Sequence, residues 1–393
     1  MNQARNTLAA LGSVLVLLLN SGCDEGASAL RPVTWTFHLN DSTSLDLSGT
    51  YAAHAIELYN GPETLRAAAI GPDSFALVPF DGIIAGQWKD GQFEGSWTDQ
   101  LRADYRIRLT AEHASTPAPS TDVAAPWQHW DAYMPGNDSA AFGTLMLQID
   151  QNSIHGTIAT PTGDFRHLHG APQPDGSWEF GTFDGAHLYH LKTWPAKGGI
   201  FGTFHSGKHY ASTFRGERRA EAPDLGPLTA PLRDSIQFEV ITLGRDGERI
   251  AWGLESLPAD ITVIDIMGTW CPNCLDEINL LKQLSQRYPD VAFMSVAFER
   301  GADKQPERAW EHIDRYRSNL EIPWPMHLGG PASKEKAGQA FPFLERIASF
   351  PTTLFVHRDG RILTHSGFNG PATGAAYQAE VNAFEENIQS LMN

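Results

Sequence analysis

From about Val33 to Arg219 the chain alternates short apolar runs with polar breaks. Runs such as SFALVPF, YRIRLTAEH and GTLMLQID alternate in polarity or carry β-branched and aromatic residues. Clusters of Gly, Asp, Asn and Pro interrupt them at short intervals. KDGQ (Lys89 to Gln92) and PDGS (Pro174 to Ser177) place Asp-Gly turns between strand-like segments. The region reads as all-β.

It also repeats itself. SFALVPFDG (Ser74 to Gly82) parallels SWEFGTFDG (Ser177 to Gly185). GPETLR (Gly61 to Arg66) parallels TGDFRHL (Thr162 to Leu168) before them, and GQFEGSWTD (Gly91 to Asp99) parallels GGIFGTFHSG (Gly198 to Gly207) after them. The landmarks keep their order, which predicts a duplicated β unit spanning 33–220, with halves of about 33–114 and 127–220. STPAPSTDVAAP (Ser115 to Pro126) links the halves. Two open sheets would expose their edges, so a sandwich or a barrel is expected.

A Pro-rich segment, EAPDLGPLTAPL (Glu221 to Leu232), ends this region, and 221–234 reads as a linker. Beyond it the period changes. FEVITL and ERIAW are short strands, and ITVIDIM is a near-continuous apolar strand of the kind buried on both faces. PNCLDEINLLKQLSQRY spaces Leu275, Ile278, Leu281 and Leu284 as a helix does. DVAFMSVAF is a second buried strand, and Pro306 to Leu320 reads as a helix. TTLFVH and RILTHSG pair across Arg358 to Gly360, and a last helix starts near Thr373. Residues 235–393 therefore predict an α/β domain, making the chain multi-domain.

The first 22 residues belong to neither region. The apolar run Thr7 to Leu19 is too short to span a bilayer comfortably and suits a secretory signal. LLLNSGC ends in Gly22-Cys23, which resembles a lipoprotein box; Cys23 would then be acylated, and 23–32 would be a tether. A cut after Ala27-Ser28-Ala29 is the alternative, but it lies far from the apolar run. Asp24 resembles an inner-membrane retention signal. Export to the periplasmic face of the cell envelope is expected.

The 393 residues carry 46 acidic and 29 basic side chains, a net charge of −17, which disfavours nucleic-acid binding. Of the 3 cysteines, Cys23 is assigned to the lipid tether, so Cys271 and Cys274 have only each other. They lie where a buried strand turns into a helix. Free N–H groups and the helix dipole favour a thiolate at the first of them. Zinc would need further ligands, and the sequence offers no second Cys pair and no nearby His. A staple across so short a loop would add little. Redox exchange is the favoured reading.

WCPNC after a buried strand, SFPTT before an antiparallel pair, and the order of elements resemble the thioredoxin fold, and within it the TlpA/ResA-like disulfide reductases of the bacterial envelope. The resemblance implies that Cys271 is the nucleophile and that Cys274 resolves the mixed disulfide. It implies that Trp270 shields the pair and that Pro351 is a cis-proline beside it, with Phe350 offering backbone to a partner. Asp265 matches a buried acid that takes the proton of the resolving Cys. Glu299 resembles an acid near the disulfide, with a solvated strand-end acid as the alternative. A related subgroup is labelled peroxiredoxin-like, but the P-x-x-x-T-x-x-C setting is missing: Gly268 stands three before Cys271.

The β region has no Cys. Its histidines (His167, His169, His187, His190, His205, His209) read as scattered strand residues before they read as metal ligands. Trp88, Trp97, Trp178 and Trp194 read as core. No metal or cofactor is expected. The expected activity is reduction of disulfides in client proteins, with electrons from a membrane donor. The other reading is a ligand- or partner-binding protein that uses its C-terminal domain as a scaffold.

Overall fold

The computed structural model describes residues 30–102, 104–114, 125–137, 139–225, 228–234 and 237–393. The signal segment, Cys23 and most of the 115–126 linker lie outside the described residues.

Eight strands, β1–β8, run from Arg31 to His113 as an antiparallel meander. Strand β1 (Arg31–His38) pairs with β8 (Arg106–His113), so the sheet closes into a barrel. Alternation fills it: Val33, Trp35 and Phe37 point inward from β1 and are at most 1% exposed. They meet Phe75, Phe93, Trp97 and Leu109 in one core. An eight-stranded barrel has an interior that side chains can fill.

Nine strands, β9–β17, run from Trp127 to Arg219. Pairing of β10 (Gly143–Ile149) with β11 (Ile154–Thr160), and of β17 (Tyr210–Arg219) with β9 (Trp127–Tyr133), closes a second ring. Its core holds Trp130, Leu147, Phe180, Leu191 and Phe214. The two-residue strand β12 (Gly163–Asp164) pairs only with β11 and forms an arm outside the ring. Each half thus closes on itself, and the two do not share a sandwich. Closure by its own first and last strands removes the edges of each half without help from the other. The repeated landmarks fall on matching strands. SFALV lies on the fifth strand of the first ring and WEFGTF on the fifth of the second, while QFEGSWTD and GIFGTFHS lie on the seventh of each.

The last region is a seven-stranded mixed sheet, ordered β19-β18-β22-β21-β20-β23-β24. Its strands are β18 (Val240–Leu243), β19 (Arg249–Trp252), β20 (Ile261–Met267), β21 (Ala292–Glu299), β22 (Met326–Pro331), β23 (Thr352–His357) and β24 (Ile362–Ser366). Strands β20, β21 and β22 are parallel; the others join antiparallel. Helices α1 (Pro272–Arg287), α2 (Pro306–Asn319) and α4 (Ala375–Met392) pack into one core, and α3 (Lys334–Ala340) into the core on the other face. The period of two sorts β20: Val263 and Met267 face the α1 side, Ile264 and Ile266 the α3 side. Asp265 therefore points toward α1. Strand β22 and helix α3 were not legible in the pattern. PWPMHLGG is flanked by Pro and Gly, and KEKAGQA is too short to show an apolar stripe.

The segment read as a linker is partly docked. Leu228 bridges to Ser366 and Leu232 to Leu344, and Ala230 is buried.

Candidate redox site

Strand β20 delivers the chain to a tight turn, Gly268-Thr269-Trp270. Glu299 secures this turn from the end of β21: Thr269 N and Oγ1 donate to its two carboxylate oxygens at 2.8 and 2.7 Å. Burial raises the Glu299 pKa, and the Thr269 bonds oppose the rise. Glu299 is thus buried and not a solvated acid, and its bonds go to the turn that precedes the sulfurs. Trp270 donates from Nε1 to Phe298 O at 2.8 Å and lies edge-on to Phe350, with Arg300 over its face.

Cys271 is the N-cap of α1, Pro272 its first residue, and Cys274 sits in its first turn. Cys274 N–H donates to Cys271 Sγ at 3.3 Å, and the two residues form a disulfide with Cα atoms 5.2 Å apart. Cys271 is 6% exposed and Cys274 0%. Cys271 Sγ lies 3.7 Å from Phe350 O, and the Phe350–Pro351 bond is cis.

Two carboxyls are buried on the elements that flank the pair, Asp265 on β20 and Glu277 on α1. Asp265 accepts from Ser295 Oγ at 3.1 Å, and burial pushes it up to about 7. Glu277, three residues past Cys274 and so on the same face of α1, accepts from Thr353 Oγ1. Burial, and then Asp265, raise it well above the carboxylate range. Both are fully buried, and two carboxylates so placed cannot both ionise. Burial and their mutual repulsion keep at least one of the two protonated. Glu277 was not singled out in the sequence. Its signal was present: an acid on the apolar stripe of α1, in phase with Cys274 and Leu281.

The second barrel forms the rest of the site. Asn273 Nδ2 donates to Asp164 Oδ1 (3.0 Å), Asp164 O (3.2 Å) and Phe368 O (3.1 Å). Arg166 Nη1 donates to Pro272 O at 2.7 Å and pairs with Asp276 at 3.0 Å, while Nη2 pairs with Glu63 of the first barrel. Burial works against the Arg166 charge, but Asp276, Glu63 and Asp184 hold it protonated. Burial raises Asp164 to about 6 and Asp276 to about 8, with Arg166 opposing in both cases. A cleft of about 310 Å³ opens between the barrel and residues that flank the pair, with Phe165 and Tyr189 on one side and Trp270, Asn273 and Phe350 on the other.

The histidines of that barrel are dispersed, with His187 lining the cleft beside Asp184 and Tyr189. His155 Nε2 lies 3.1 Å from His167 Nδ1, and burial lowers His167 to about 3 and His169 to about 4, so both are neutral. Among the described residues no group of three or more His, Cys, Asp or Glu is arranged to hold a metal ion.

No protein-family model and no curated protein matches the sequence. Solved structures of thioredoxin-like proteins do resemble part of it. A thioredoxin-like protein from Aeropyrum pernix is 18% identical, with 39% of this chain and 89% of that one covered and a TM-score of 0.29. A thiol:disulfide interchange protein of the thioredoxin family from Chlorobium tepidum is 17% identical, covering 44% and 100%, with a TM-score of 0.28. The exposed lipoprotein thioredoxin of Streptococcus pneumoniae is 17% identical, covering 38% and 98%, with a TM-score of 0.26. At these values the likeness is distant and partial, and the site stands on its own geometry.

Proposed function

We propose that the chain is a thiol–disulfide oxidoreductase whose C-terminal unit, about 235–393, is a thioredoxin fold of the TlpA/ResA-like kind. One observation carries the reading. Cys271 caps α1 with its sulfur on the Cys274 N–H, within 3.3 Å, where a thiolate gains a hydrogen bond and the positive helix end.

In the forward direction the Cys271 thiolate attacks one sulfur of a client disulfide. A Cys271–client bond forms and the other client sulfur leaves as thiolate. Cys274 then loses its proton and attacks Cys271, closing the pair and releasing the second client thiolate. The pair gives two electrons to the client, whose two thiolates take their protons from solvent, while the single Cys274 proton leaves to a base within the site. The Asp265–Glu277 carboxyls are the acceptor for the Cys274 proton, and Trp270 and Pro351 frame the attacking sulfur. A dithiol donor in the membrane restores the pair. The apolar run from Thr7 to Leu19 and the Gly22-Cys23 step support export and a lipid tether at Cys23 on the periplasmic face of the inner membrane.

The test is capture. A Cys274→Ala variant produced in the envelope should accumulate Cys271-linked mixed disulfides, visible on non-reducing gels and lost in Cys271→Ala/Cys274→Ala. Absence of such adducts contradicts exchange through Cys271.

A further inference from the structure

The dipeptide between the cysteines is held from outside its own domain. Pro272 presents its carbonyl to Arg166, and Asn273 spends its side-chain amide on Asp164 and Phe368. Both gripping residues come from the arm and turn that follow β11 of the second barrel. Three further observations show that this joint is built. Arg166 is 4% exposed, yet it adopts φ +54°, a left-handed conformation unfavourable for a side chain of its size. Gly163 sits at φ +146°, and a Cβ there would lie 2.7 Å from Asn273 Nδ2. Its backbone also bridges to Phe368. Glu63 and Asp276 neutralise the Arg166 cation from both sides.

We infer that the second barrel sets the redox equilibrium of the Cys271–Cys274 pair by restraining Pro272 and Asn273, with Arg166 and Asp164 as positioning residues. This deepens the exchange reading and rests on it. Because the Arg166 charge is balanced within the joint, its main action on the pair is conformational. Fixing the dipeptide keeps the two sulfurs at bonding reach when the pair is reduced, which raises their effective concentration and favours the disulfide. Releasing it makes the disulfide easier to reduce.

The experiment is equilibration of the full chain with dithiothreitol, in which reduced dithiothreitol and the oxidised pair exchange two electrons and two protons. Arg166→Met should lower the equilibrium constant for forming the Cys271–Cys274 disulfide about tenfold, equivalent to about 30 mV. Arg166→Lys, which keeps the charge and one donor, should recover part of it. Asp164→Asn should shift it less, because an amide oxygen can still accept from Asn273. Asp81→Ala, at the other barrel's contact with α2, should leave it unchanged; this control separates tuning from general loosening. If Arg166→Met does not fold, Arg166→Met/Asp276→Asn replaces both buried partners of this contact and answers the same question. Constants within twofold of the parent for these Arg166 variants, or a more stable disulfide, overturn the inference. A parent chain that never equilibrates with dithiothreitol overturns the exchange reading itself, and this inference with it.

Discussion

The two barrels share an architecture and differ in what they touch. The first meets the C-terminal unit through its loops. Asp81 pairs with His312 and Arg315 of α2, Asp99 faces Arg300, and Gln100 O accepts from Arg308. These contacts hold a body in place: Asp81 and Gln100 reach α2, which carries no cysteine, and Asp99 reaches Arg300 in the turn after β21. The second barrel meets the redox motif itself, through Asp164 and Arg166. Two filled barrels of one design can thus serve as support and as part of a site. The difference lies in a few residues on one turn, so architecture alone does not assign a role.

The largest way to break this comparison is to remove Arg166. Arg166→Met breaks the ion pair with Glu63, the contact with Asp276 and the bond to Pro272 O, in a joint where Arg166 and Asp276 are both buried. A loss of about 3–5 kcal/mol is expected, read by denaturant unfolding. A loss below 1 kcal/mol would make this joint no different from a surface contact.

Gly163→Ala should come next. The added methyl meets Asn273, and the backbone at φ +146° suits glycine. A destabilisation of about 1–3 kcal/mol is expected, together with a shift of a few fold in the dithiothreitol equilibrium. Gly176→Ala, where a Cβ meets nothing within 4 Å although φ is +81°, separates backbone strain from contact with Asn273.

A third test uses pH. Asp164, Asp265 and Asp276 have folded pKa values raised to about 6, 7 and 8, above about 3.9 in the unfolded chain. The folded state therefore binds more protons than the unfolded one between these values. Their contribution is fully present below about pH 4 and is lost as pH rises to about 8. Stability should fall across that window, and Asp276→Asn should flatten its upper part. A slope that persists unchanged in Asp276→Asn would place the titration elsewhere.

The smallest redox effect is expected at the first barrel. Asp81→Ala removes one acceptor shared by His312 and Arg315, with about 1.5–3 kcal/mol at stake and no change in the redox equilibrium. A redox shift there as large as that of Arg166→Met would erase the distinction between the barrels.

Much of this was legible in the chain. The period of two in the first half, the buried ITVIDIM strand and the α1 stripe are local patterns, and local patterns survive in sequence. The closure of each half was not, because it depends on pairing β1 with β8 and β9 with β17 across long separations. Cys271, Cys274 and Trp270 stood out by motif. Asp164 and Arg166 did not, since GDFR looks like any turn, and their partners lie 109 and 106 residues away. Glu299 was singled out by resemblance, and its bonds to Thr269, two residues before Cys271, depend on the fold. The acid in phase with Cys274 is Glu277, and the helical period alone would have pointed to it.

The most direct test of the central claim is turnover with insulin and dithiothreitol. The full chain should accelerate insulin reduction, and Cys271→Ser should abolish the acceleration while leaving the fold intact by circular dichroism. No acceleration by the parent chain, or full acceleration by Cys271→Ser, would contradict the account.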